Sequence, residues 1–403
     1  MANHRVAITG IGVISAIGRD VSEFWASLAA GKCGIRPLKS VDTATLRFRN
    51  GAEVEDYDSS RYFEEKRADF MDRFAQFAVI AGREAVAQAG IEWTPDLREN
   101  AGIVTGSCVG GQSAEDAGFV ELYKLGHNRV HPLTIPKVMA NAGASHLSME
   151  FGITGPSYTI STACSSATHA LGQAYWMVRM GQVDLALAGG SEATFSVGIL
   201  KAWEAMRVVS GDTCRPFSRN RSGMILGEGA AMMVLEPLDR AKARGATVYG
   251  EIVGFGMSAD ASHITQPSSA GASRAMRAAL RDAGLKPESI GYINAHGTGT
   301  QANDGTETAA IRAVFGAHAD KLAVSSTKSM HGHALGAAGA IEAAATAFAL
   351  RNGLLPPTAN YTQPDPECDL DVIPNVARPA EVEFALSNSF AFGGLNAVLA
   401  LRR

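Results

Sequence analysis

The sequence predicts an α/β fold built from two similar halves. Short runs rich in β-branched residues alternate with longer helix-like runs along the whole chain, the pattern of strands joined by helices. The segment Ile160-Ser-Thr-Ala-Cys-Ser-Ser-Ala-Thr-His-Ala-Leu-Gly172 is echoed by Val324-Ser-Ser-Thr-Lys-Ser-Met-His-Gly-His-Ala-Leu-Gly336. Both read as strand, Ser/Thr-rich turn and helix start. The glycine-rich turn after Ile103-Val104 likewise parallels the turn after Ile293, Asn294-Ala-His-Gly-Thr-Gly-Thr300. Two related halves sharing one core fit these echoes better than two unrelated domains. The division falls between residues 246 and 247, giving halves 1–246 and 247–403.

Strand-like runs occupy 6–13, 102–106, 157–161, 185–188, 231–235, 250–255, 291–295, 322–325, 383–387 and 397–401. Helix-like runs occupy 21–30, 71–89, 137–149, 165–180, 270–283, 306–315 and 334–351. An amphipathic stretch begins after Asp72. No Ser/Pro linker or low-complexity segment separates independent units.

Composition narrows the function. With 46% hydrophobic and 19% charged residues among 403, the chain is too apolar for an extended disordered protein. Thirty-six Lys and Arg against 40 Asp and Glu leave a net charge of −4, with no basic excess to bind nucleic acid. Five cysteines without a CxxC pair argue against a disulfide framework or a zinc ribbon and point to a reducing cytoplasm. The opening segment lacks a basic stretch followed by a long apolar run, so no signal peptide is read there. Residues 151–178 contain no Asp, Glu, Lys or Arg, but their Ser, Thr, Gly, His and Pro suit a protein interior better than a lipid-facing span.

Three residues stand where chemistry is expected. Cys164 follows a strand-like run and precedes a helix-like one, which places its thiol at a helix N-terminus, where N–H groups and the dipole favour a thiolate. A backbone N–H there would supply half of an oxyanion hole. His296 lies in a turn that Gly297 and Gly299 allow to approach a ligand closely. His333 lies near a helix start, where the dipole would favour the neutral ring. Each alone is compatible with a plain core residue. Lys328 needs a counter-ion in so uncharged a neighbourhood, and Glu342 is the available candidate. No carboxylate or third histidine sits at ligand spacing from His331 and His333, so no metal site is expected.

In order, these segments resemble the β-ketoacyl-acyl carrier protein synthases, decarboxylating condensing enzymes of the thiolase superfamily. The resemblance runs from Val6-Ala-Ile-Thr-Gly-Ile-Gly12 through Cys164, Arg215-Pro-Phe-Ser218 and Leu226-Gly-Glu-Gly-Ala230. It continues through Asn294-Ala-His-Gly-Thr298, Ser326-Thr-Lys-Ser329, Gly332-His333 and Pro356-Pro-Thr358 to Asn388-Ser-Phe390. It implies a thiolase-like fold of two βαβαβ halves in α-β-α-β-α layers. It also implies a homodimer, with a heterodimer with a related subunit as the alternative. The implied reaction loads an acyl group onto Cys164 and condenses it with malonyl-acyl carrier protein.

The resemblance also assigns supporting roles. His296 and His333 would stabilise the enolate, Lys328 and Glu342 would support the site, and the N–H groups of Cys164 and Phe392 would form the oxyanion hole. Phe390 and Gly393 would belong to the gating loop, Thr298 and Thr300 would contact pantetheine, and Val109 would line the acyl pocket across the dimer. Lys66 and Arg129 would dock an acidic carrier, and no dissociable cofactor is implied. Asp69 stands where a second docking base is expected, which points to a dedicated carrier. Ala391 and Leu395 depart from the usual gating loop and imply a stiffer one. Lys201-Ala-Trp-Glu-Ala-Met-Arg207 and Asn303-Asp-Gly-Thr-Glu-Thr308 are similar to specialised synthases of the nodulation-factor and polyene type. A non-catalytic chain-length factor is the rival reading from another class, and Cys164 with both histidines argues against it.

Overall fold

The computed structural model describes residues 3–403. In chain order the main elements of the first half are β1 (Val6–Ser15), α1 (Arg73–Ala89), β2 (Ala101–Gly106), α2 (Gln112–Phe119), α3 (Thr134–Val138), α4 (Ala142–Phe151), β3 (Ser157–Ile160), α5 (Ser166–Arg179), β4 (Leu185–Glu192), α6 (Val197–Met206) and β5 (Gly229–Pro237). Then come β6 (Gly250–Ala259), α7 (Ser269–Ala283), β7 (Ile290–Asn294), α8 (Gln301–Phe315), β8 (Ala323–Ser325), α9 (Lys328–His331), α10 (Ala338–Asn352), β9 (Phe384–Phe390) and β10 (Leu395–Arg402).

These strands form one ten-stranded sheet in the order β8-β7-β9-β10-β6-β1-β5-β4-β2-β3. Strands β6 to β10 run outward from the centre in the same relative order as β1 to β5, so the two sets are related by a pseudo-two-fold. They meet only where Val6, Ala7 and Ile8 pair antiparallel with Ile252, Glu251 and Gly250. The turns after β3 and β8, which carry Cys164 and Lys328, therefore occupy equivalent places. So do the turns after β2 and β7, which carry Val109 and His296.

Helices α5 and α10 lie between the two sets of strands and pack on both, while α1 with α4 and α7 with α8 cover the outer faces. The result is the layered α-β-α-β-α fold. Helix α10 is buried from Ala338 through Leu350, which its alanine-rich, all-round apolar surface dictates. A Cβ on Gly339 would fall 1.9 Å from Thr168 Oγ1, so only glycine lets the two central helices approach this closely. Phe255 and Tyr292 are fully buried in the core around them, each burial worth roughly 1.5–3 kcal/mol. The stretch after Asp72 is helix α1, capped by the Asp72 carboxylate accepting from Phe74 N–H at 3.2 Å.

Two readings from sequence need correction. The run 137–149 is not one helix but the end of α3 and most of α4, broken around Met139. Met139 takes an extended backbone with ψ 131°, so the Ala142 N–H turns to the Met139 carbonyl at 3.0 Å and the Val138 carbonyl accepts from Gly111 N–H at 3.2 Å. Helices α2 and α6 were also not anticipated. Only Gly118 of α2 and only Leu200 of α6 are buried, so neither shows a clear apolar period. Among the described residues no helix is long and apolar enough to cross a membrane.

Candidate active site

Cys164 occupies a tight turn between β3 and α5. Ala163 before it takes a left-handed φ of 51°, an uncommon conformation for a residue with a side chain. The turn is fixed by hydrogen bonds. Ser166 Oγ donates to the Ala163 carbonyl at 2.6 Å, and Ser165 Oγ to the Leu395 carbonyl at 2.8 Å. Gly106 makes room for the start of α5, since a Cβ there would lie 2.3 Å from Ala167 N. Burial pushes the Cys164 thiol up to about 11, against the pull of the Lys328 charge and of the N–H groups of Phe392 and Cys164 itself. The thiolate expected from the helix end alone is therefore not the resting form, because desolvation outweighs the dipole.

His296 follows β7. Its own N–H and that of Gly297 donate to the two oxygens of Glu307, at 2.9 and 2.8 Å. Asn388 Nδ2 reaches the same carboxylate at 3.1 Å. Gly297 has φ 39°, and Ser326 Oγ holds its carbonyl at 2.6 Å. Behind the ring, Lys328 Nζ lies 3.3 Å from Nδ1 of His296 and pairs with Glu342, both residues fully buried. Burial chiefly, with the Lys328 charge second, holds His296 and His333 well below the ordinary imidazole range. His333 lies just before the helical turn Leu335–Ala337 that leads into α10. The His333 backbone is clamped to the segment before β5, with its N–H to the Ile225 carbonyl at 2.7 Å and its carbonyl to Gly227 N–H at 2.9 Å. The two rings meet edge-to-face at 5.3 Å.

Cys164, His296, His333, Thr298, Thr300, Phe390 and Phe392 line one cleft of about 700 Å³ including its mouth. Lys328 and Glu342 stand behind it. Thr300 also caps α8, its Oγ1 accepting from Asn303 N–H at 3.2 Å, and it bonds Thr298 Oγ1 at 2.9 Å. Gly393 and Gly394 adopt φ 81° and 67°, which explains the glycines of this loop. Ala391 sits at φ −117°, ordinary extended backbone, so its side chain brings no strain. Val109 is half-buried and is not among the lining residues of this cleft. Lys66 and Arg129 are exposed, without an ion pair among the described residues. Asp69 faces Lys137 at 3.7 Å.

Sequence reading missed Glu307 and Asp304. Asp304 accepts from Phe217 N–H at 2.7 Å and Gly299 N–H at 3.2 Å, so two acids one turn apart on α8 hold the loop that presents His296. Trp203, Val208 and Met224 form a further wall of the cleft. Buried oxygens of Asn294, Glu342, Ser387 and Asn388 have no protein hydrogen-bond partner. Among the described residues no group of three or more His, Cys, Asp or Glu is placed to bind a metal.

Comparison with known proteins decides the family. Residues 3–241 match the "Beta-ketoacyl synthase, N-terminal domain" family and residues 249–362 the "Beta-ketoacyl synthase, C-terminal domain" family. The chain belongs to the beta-ketoacyl synthases. This synthase is 47% identical over 404 residues to Nodulation protein E of Rhizobium sp. (strain N33), covering 100% of both chains. It is 40% identical over 408 residues to 3-oxoacyl-[acyl-carrier-protein] synthase 2 of Staphylococcus aureus (strain COL), covering 100% of this chain and 99% of the relative. Among solved structures it is similar to the ishigamide ketosynthase/chain length factor, with a TM-score of 0.94 and 39% identity over 100% of this chain and 99% of that one. The synthase is a condensing enzyme of fatty acid or polyketide synthesis.

Proposed function

We propose that the synthase condenses an acyl thioester with malonyl-acyl carrier protein in two acyl transfers through one thiol. The observation that carries this reading is the shared cleft, in which Cys164 faces two imidazoles held neutral. Cys164 Sγ attacks the thioester carbonyl, the oxyanion takes the N–H groups of Cys164 and Phe392, and the departing pantetheine sulfur leaves with the thiol proton. Malonyl carrier then enters. Its bond to the carboxyl carbon breaks, CO₂ leaves, and the electron pair passes to an enolate whose oxygen accepts N–H bonds from His296 and His333. The enolate carbon attacks the acyl group, a carbon–carbon bond forms, and Cys164 leaves as thiolate and is reprotonated. Lys328 and Glu342 set ring orientation and local charge, Thr298 and Thr300 hold pantetheine, and Phe390 with Gly393 belong to the moving loop.

Substrates arrive on the carrier's phosphopantetheine, so the reaction calls for no dissociable cofactor of the enzyme. Lys66 and Arg129 steer the acidic carrier, and Val109 of one copy completes the acyl pocket of the other in a homodimer. A heterodimer with a related subunit is the alternative assembly. The higher identity to Nodulation protein E (47%) than to 3-oxoacyl-[acyl-carrier-protein] synthase 2 (40%) supports a specialised pathway. A non-catalytic chain-length-factor role fits this cleft less well, since it gives a nucleophile nothing to do. An acyl carrier bearing a radiolabelled chain tests the reading: label stays on the protein and is lost in Cys164→Ala. Retention of label in that variant would overturn it.

A further inference from the structure

Helix α6 contributes nothing to the chemistry described above, yet it places one large side chain against the loop that does. Leu200 is fully buried and anchors the helix; Trp203, one turn later on the same face, reaches the cleft that holds Cys164. There its ring stacks on Phe392, with centroids 6.1 Å apart and planes 28° from parallel. The Phe392 N–H is directed at the Cys164 sulfur. Ala391, next in line, packs into the apolar cluster that also contains Trp203 and Cys164.

The loop is otherwise held through its backbone. Gly393 N–H donates to the Ile264 carbonyl at 2.7 Å and Asp260 N–H to the Gly394 carbonyl at 2.9 Å. Gly394 N–H donates to the Ala391 carbonyl at 3.0 Å, which pins from the backbone side the peptide unit that carries the Phe392 N–H. Trp203 adds a second restraint from the side-chain end.

We propose that Trp203 is a positioning residue whose stack on Phe392 aims the Phe392 N–H at the acyl-transfer site. The inference rests on the reading of Phe392 N–H as an oxyanion donor. A stacked aromatic pair favours one orientation of the loop by a modest factor. Loss of the stack therefore slows transfer of the acyl group from carrier to Cys164 by roughly 3- to 10-fold. Decarboxylation of malonyl carrier, which relies on the histidines, changes less.

The test uses the full-length protein with a radiolabelled acyl carrier and a double-mutant cycle. Trp203→Leu keeps apolar bulk but removes the ring face and is expected to show the slowed acylation; Trp203→Phe keeps a ring and is expected to stay within about twofold of the parent. The decisive arm repeats Trp203→Leu in a Phe392→Leu background. With no ring left to stack on, the loss is expected to shrink below about twofold. An equal loss in both backgrounds would show that Trp203 acts only as a cleft wall and would overturn the inference. So would Trp203→Phe acylating as slowly as Trp203→Leu, or Trp203→Leu acylating at the parent rate. A Cys164→Ala control run alongside separates the two layers: label retained there removes the acyl-enzyme reading itself, whereas label lost there with additive Trp203 effects removes only the positioning role.

Discussion

The ammonium of Lys328 stands 3.3 Å from Nδ1 of His296, and that contact fixes the tautomer of the ring. An ammonium only donates, so Nδ1 must accept and Nε2 must carry the proton. His296 is thereby delivered to the cleft as a neutral donor. Glu342 balances the charge that does this, and burial raises the Glu342 carboxyl while Lys328 pulls it back.

Replacing Lys328 by Met should separate the two roles of the pair. Without the neighbouring charge, His296 and His333 return toward their ordinary range, so the acid limb of malonyl decarboxylation moves to higher pH. Glu342 is left buried without a partner, which costs about 3–5 kcal/mol of stability unless it takes up a proton. A pH–rate profile and denaturant unfolding of the same variant check both. An acid limb unmoved in the folded variant would remove Lys328 from control of the histidines.

His333→Ala should divide the reaction at its middle. Loss of one donor to the developing enolate is expected to slow decarboxylation and condensation by about 10²–10³-fold. Acyl loading of Cys164 depends on the opposite side of the cleft and should fall much less. Equal losses in both half-reactions, followed by labelled acyl transfer and CO₂ release, would contradict the assigned role.

Much of this site was legible because its chemistry sits in short turns directly after strands. Cys164 and His296 each fall in such a turn, His333 follows the short helix α9 beyond β8, and the fold places all three around one cleft. Glu307 was hidden for a different reason: it is an acid on a helix in a sequence full of acids, and only the fold shows its carboxylate clamping the backbone of His296 and Gly297. Its pairing with Asp304 on one face of α8 was the available signal. Trp203 stood in a segment that carried the resemblance, but its place beside the cleft was not legible, since α6 lacks a clear apolar period and the ring it meets belongs to the far end of the chain. The thiolate expected at Cys164 failed because a sequence shows a helix end but not how completely it is desolvated.

Acid should destabilise the protein in part through His331, which lies outside the cleft lining. Burial first, and the Lys328 charge second, lower this ring from 6.5 to about 3. Its stabilising contribution is complete above the unfolded value and is lost as pH falls toward the folded one, because only the unfolded chain binds the proton in that window. Between pH 7 and pH 5 the loss amounts to about 2 kcal/mol. His331→Asn removes it, so the stability gap between parent and variant should narrow by about that much across the same interval. Denaturant midpoints at three pH values measure it, and a gap that stays constant would show that the native ring titrates normally.

Docking of the carrier should depend on exposed charge and not on the chemistry behind it. Lys66 and Arg129 are exposed and carry no ion pair among the described residues, so their fields are free to act on an acidic partner. Reversing both to Glu is expected to raise KM for the acylated carrier several-fold while leaving kcat within about twofold, the signature of lost encounter without lost catalysis. The effect should fade as salt is raised and the Debye length shortens to a few ångströms. Asp69 opposes them from one turn beyond Lys66, and its charge is partly taken by Lys137 at 3.7 Å. Asp69→Ala should therefore lower KM modestly for the same carrier. Unchanged KM in the double reversal at low salt would place the docking surface elsewhere on the molecule.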